Sequence, residues 1–78
     1  MFMYELIITE LDNSINTDKI RSIVDSINSI EIMDETRFSR LNILHSKLID
    51  SWGVDNIIVN DNIITIFNNK IEARENRT

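Results

Sequence analysis

Apolar residues recur through the middle of the chain with a helical period. At 100° per residue, Phe38, Leu41, Leu44, His45, Leu48, Ile49 and Trp52 fall within an arc of roughly 140°, the width of a helix face lying on a core. The pattern predicts a helix over residues 36–52. Asp34 and Glu35 stand at its start, where negative charge meets the positive end of the helix dipole. Gly53, the only glycine, follows Trp52 and suits the left-handed residue that closes a helix. A second stripe, Ile20, Ile23, Val24, Ile27 and Ile30, spans about 120° and predicts an earlier helix. Ile15 and Ile20 bracket Asn16 as the two halves of a hydrophobic staple would bracket an N-cap. Glu31, Ile32 and Met33 form the short connection between the helices.

The ends of the chain change to a period of two. Phe2, Tyr4, Leu6 and Ile8 alternate with Met3, Glu5, Ile7 and Thr9, which favours a strand, with a helix through Tyr4, Ile7, Ile8 and Leu11 as the competing reading. Asp12, Asn13 and Ser14 then make a turn-rich link. After Gly53, residues 56–59 and 63–67 read as strands of a hairpin, joined across Asn60, Asp61 and Asn62, residues that tolerate positive φ. Asn68 and Asn69 lead into either a short third strand over residues 70–73 or a frayed helix, and residues 74–78 read as a polar tail. The expected fold is α+β, a single domain over residues 1–73. Its order is strand, helix, helix, β-hairpin, with both helices on one face of a small, mostly antiparallel sheet.

Apolar residues occupy both faces of the hairpin. Ile57, Val59, Ile64 and Ile66 cannot all share a side with Ile58, Ile63 and Phe67. Helices covering one face leave the other face, or an edge strand, for a second copy or another protein. The partner expected is therefore another protein, with a homodimer as the simplest case.

Composition narrows the class. The chain has 78 residues, 42% hydrophobic and 27% charged, the balance of an ordinary folded domain. A domain of this size buries a modest fraction of its surface. It contains no cysteine, which excludes disulfides, thiolate metal sites and cysteine nucleophiles, and the default location is cytoplasmic. The start, MFMYELIITE, has no basic region or cleavage site and is too short to span a bilayer, so neither export nor membrane anchoring is expected. The net charge of −5 is concentrated before residue 37, where Lys19 and Arg21 are the only cations. Such a surface disfavours phosphate backbones and favours basic protein partners, although in a small domain acidic charge most often serves solubility alone. Ile and Asn together make up about a third of the residues, as an AT-rich coding sequence would give. With the small size and acidic charge, this suggests an inhibitor or regulator of the kind encoded by phages and other mobile elements.

No catalytic, cofactor-binding or metal-binding residue is expected, and the chain does not read as an enzyme. His45 is the only histidine and sits within the apolar stripe, where a structural role suits it better than acid–base chemistry without an orienting neighbour. The candidate protein-binding residues all lie on the 36–52 helix. Ile43 falls nearly opposite the buried stripe, flanked by Arg40, Lys47 and Asp50, and Trp52 is either a core anchor or an interface hot spot. The order strand, helix, helix resembles ribbon-helix-helix proteins, and helices followed by a hairpin resemble winged helices. Those resemblances imply a DNA-binding transcriptional regulator as the alternative. The strand here would offer Glu5, Thr9 and Glu10 to DNA, and the hairpin turn offers Asp61, whereas those families use polar or basic residues at such places.

Overall fold

A computed structural model describes residues 3–12 and 14–76; Phe2, Asn13 and the last two residues of the expected tail, Arg77 and Thr78, lie outside the described residues. The elements are β1 (Met3–Glu10), α1 (Thr17–Asn28), α2 (Ser39–Trp52), a 3-10 turn (Val54–Asn56), β2 (Ile57–Asn60), β3 (Ile63–Ile66) and β4 (Asn69–Asn76). The strands form one four-stranded sheet in the order β1-β4-β3-β2, antiparallel throughout. The α+β architecture and element order follow the sequence pattern. The strand reading of the first segment holds over the helical one.

β4 is the largest departure. Its eight residues replace the expected short strand and loose tail, and Arg74, Glu75 and Asn76 pair with Glu5, Tyr4 and Met3. These polar side chains have no strand-forming pattern of their own. They are extended because β1 offers a ladder of backbone partners that a tail in water would lack.

Pairing register decides which side chains meet the helices. Leu6 faces Ala73, Ile8 and Ile64 both face Ile71, and Ile57 faces Ile66, which places this set on one surface of the sheet. From above, α1 contributes Ile20, Val24 and Ile27, and α2 contributes Leu41, Leu44 and Leu48. All are buried except Ile8 and Ile57, which pack partly buried at the margin. Burying a side chain of this size contributes about 1.5–3 kcal/mol, so this single layer supplies most of the driving force for folding.

The helix starts differ from the sequence pattern. Ile15 is 95% exposed while Ile20 is fully buried, so the staple does not form. Asn16 makes no side-chain cap. The start of α1 is held instead by Thr17, whose hydroxyl donates to the Asp12 carbonyl and accepts the Ser14 N–H at 3.2 Å. α2 begins at Ser39, which leaves Asp34, Glu35 and an exposed Phe38 in the connection before it.

Two tight turns build the sheet's far half. Phe67 and Asn68 both have positive φ, 47° and 62°, as a two-residue type I′ hairpin requires, although phenylalanine rarely adopts that conformation. Tertiary contacts hold it there: the Phe67 ring meets Trp52 edge to face, with centroids 5.6 Å apart. The buried Asn69 amide donates to the Ile66 and Phe67 carbonyls, and its oxygen accepts the Asp12 N–H at 2.8 Å.

Gly53 closes α2, its N–H donating to Ile49 O at 2.8 Å, with φ 79° and ψ 170°. This is positive φ with an extended ψ, not the αL angle of a usual helix cap, and it belongs to a region used almost only by glycine. A Cβ at this position would meet nothing within 4 Å, so the cost of a side chain is conformational alone. Gly53→Ala is expected to lower stability by about 1–3 kcal/mol, measured by urea denaturation.

Candidate functional site

An open sheet has two edges, and here they are treated differently. β1 is one. In an antiparallel ladder alternate residues direct their backbone groups outward, and in β1 these include Tyr4 and Leu6. Asn28, the last residue of α1, meets Leu6 as another strand would. Its Oδ1 accepts the Leu6 N–H at 2.9 Å, and its Nδ2 donates to Leu6 O at 2.9 Å.

The Tyr4 carbonyl is taken by Arg40. This residue is 3% exposed, and its Nε–H donates both to Tyr4 O at 2.9 Å and to Glu35 Oε1 at 2.6 Å. Nη1 donates to Ile27 O and Nη2 to Ile30 O at 2.8 Å. One guanidinium therefore ties the C-terminal end of α1, the helix connection and β1 to the first turn of α2. The carbonyls it reaches near the end of α1 carry the negative pole of the helix dipole, and Glu35 neutralises the charge. No buried side-chain nitrogen or oxygen among the described residues is left without a partner.

β2 is the opposite edge, and it is bare. The two-residue loop Asp61–Asn62 makes Asn60 and Ile63 the hydrogen-bonded closing pair, so Ile58 bonds to β3 while Ile57 and Val59 point their backbone groups outward. The Ile57 N–H turns back to Val54 O. The Ile57 carbonyl and both groups of Val59 face out. No charged residue or proline lies on β2 to discourage pairing. The flanking side chains are apolar and exposed: Val54 at 62%, Ile58 at 66% and Val59 at 52%. A row of free backbone groups bordered by β-branched side chains is what an added strand needs.

The four residues singled out on α2 do not form one surface. The helical wheel puts Arg40 on the solvated side, yet the helix connection folds over it and makes it an internal tie. Ile43, expected to stand exposed, packs partly buried against the core. Lys47 remains exposed. Trp52 is half-buried between Phe67 and Lys19, whose ammonium lies 5.0 Å above its ring, so its indole helps join α1, α2 and the β3–β4 turn. What sequence reasoning missed is the particular edge. The doubly apolar strands signalled an unsatisfied sheet, while the sealing of β1 by Asn28 depends on a contact 22 residues away in the chain, which no local pattern carries.

Among the described residues, no cluster of three histidine or carboxylate side chains is arranged to hold a metal ion, and no helix is long and apolar enough to cross a membrane. No protein-family model matches the chain, and neither a curated protein nor a solved structure is significantly similar to it. The functional reading rests on the surface itself.

Asn28→Ala would strip both partners from Leu6 and is expected to cost about 1–3 kcal/mol, read as a lower urea midpoint. The variant should also gain a tendency to associate through the newly opened β1 edge.

Proposed function

We propose that the protein is a small, acidic, non-enzymatic binding module of the cytoplasm, an inhibitor or regulator that holds an extended segment of a partner protein along the β2 edge. The observation that carries this reading is the asymmetry of the sheet. One edge is capped at Leu6 and at the Tyr4 carbonyl by the side chains of Asn28 and Arg40, whereas the other combines uncapped outward backbone groups at Ile57 and Val59 with exposed apolar side chains. In strand addition, main-chain hydrogen bonds supply affinity and the alternate side chains supply selectivity. β2 has both kinds of contact to offer. It is short, about 13 Å at 3.3 Å per residue, which limits the paired part of a partner segment to about four residues.

A second concentration of apolar side chains, Met3, Ile30, Ile32 and Met33, lines a groove at the α1–α2 connection. The part of β1 beside it is capped, with the Tyr4 carbonyl held by Arg40 and both groups of Leu6 by Asn28. The DNA-binding alternative is weakened by Arg40, which lies inside the protein and leaves Arg37 and Lys47 as the cations in or just before α2 that reach solvent.

Val59→Pro tests the proposal. The Val59 N–H does not belong to the β2–β3 ladder, so proline at this edge position should leave the fold intact while removing the outward donor. In affinity capture from lysate of the native host, the tagged protein is expected to retain a stoichiometric partner after nuclease treatment, and Val59→Pro is expected to lose it. Equal capture by the variant would place the interface elsewhere. Loss of the partner on nuclease treatment would favour nucleic acid.

A further inference from the structure

The charges around β2 say what kind of segment fits. Asp55 lies two residues before the strand, in the 3-10 turn, and Asp61 immediately after it, at φ 54° in the hairpin loop. Both are exposed, and neither forms an ion pair among the described residues. The edge is thus an uncharged, β-branched run, Ile57, Ile58 and Val59, bracketed by free carboxylates in a chain of net charge −5. From these placements we infer that the occupant of the β2 edge is an extended segment of another protein with alternating β-branched residues and a lysine or arginine at each end. The inference rests on the edge-binding reading above and adds the chemistry of the partner.

The same charges disfavour a second copy of the chain, the simplest partner expected from the sequence. An antiparallel two-fold pairing that sets Ile58 against Ile58 of a second copy brings Asp55 of each copy close to Asp61 of the other. That gathers four carboxylates at the two ends of the interface and joins two molecules that each carry −5. A segment ending in cations converts both ends from repulsion to attraction. In either strand direction a cation meets an acid, because β2 is acidic at both ends. Direction must then be set by the side chains that lie beside Ile58 and Val59, not by charge.

The test uses two capped seven-residue peptides with alternating valine and threonine between their ends, one ending in lysine and the other in glutamate. Binding to the full-length protein is followed by fluorescence anisotropy. The lysine-ended peptide is expected to bind about tenfold more tightly at low salt, the factor that two exposed ion pairs supply. The gap should narrow as salt is raised to about 0.5 M, where the Debye length falls to about 4 Å. Asp55→Asn combined with Asp61→Asn, a change that asparagine tolerates at positive φ, should abolish the preference without abolishing binding. Val59→Pro should abolish binding of both peptides.

Equal affinity for the two peptides would overturn the charge inference while leaving edge binding in place. Failure of both to bind, or unchanged binding by Val59→Pro, would overturn the edge reading itself. Light scattering that shows a wild-type dimer and a monomeric Val59→Pro would make a second copy the occupant and overturn the inference.

Discussion

Every strand at the margin of an open sheet carries a row of backbone donors and acceptors that the sheet itself does not satisfy, and this constraint organises the molecule. With the order β1-β4-β3-β2, the first strand of the chain and the first strand of the hairpin become the two margins. The helices connect one to the other and cover the shared face over β1, β4 and β3. Because α1 ends beside β1, the amide of Asn28 reaches the outward groups of Leu6. The chain path that closes the core therefore also caps one edge at Leu6 and the Tyr4 carbonyl. β2 follows α2 through a single 3-10 turn and receives no comparable cover.

Arg40 makes the closed end of the molecule dependent on a charge. A buried guanidinium is tolerated only where its donors are met and its charge is balanced, and Glu35 together with the carbonyls of Tyr4, Ile27 and Ile30 meets both requirements. Such a tie specifies geometry more than it adds stability. Removing one member would leave the other buried and unpaired, at a cost of about 3–5 kcal/mol. It also fixes where β1 lies relative to the end of α1, so the contact between Asn28 and Leu6 depends on it.

The hydrophobic periods made the architecture legible in the sequence. Ile20, Val24 and Ile27, and Leu41, Leu44 and Leu48, are the residues that a period of 3.6 selects, and they are the helical half of the core. The β2–β3 hairpin was legible from its isoleucines and its asparagine- and aspartate-rich loop. Features set by distant partners were not. Arg74–Asn76 are strand only because β1 lies beside them, and Arg40 is internal only because the helix connection folds over the first turn of α2. Ile15 shows the opposite error: a local motif was present in the sequence, but the link from Asp12 through Thr17 took its place. For the candidate site, the apolar character of both hairpin faces indicated that the sheet had a surface to offer. Identifying β2 as the open margin required the strand order.

The central claim is that the two edges differ, and amide hydrogen exchange in the isolated protein tests it residue by residue. The account predicts strong protection at Leu6, whose N–H is held by Asn28, and at Ile58, which bonds to β3, with little protection at Val59. Protection at Val59 equal to that at Ile58 would show that the β2 edge is already covered. Exchange at Leu6 as fast as at Val59 would show that β1 is not sealed, and either result would contradict the account.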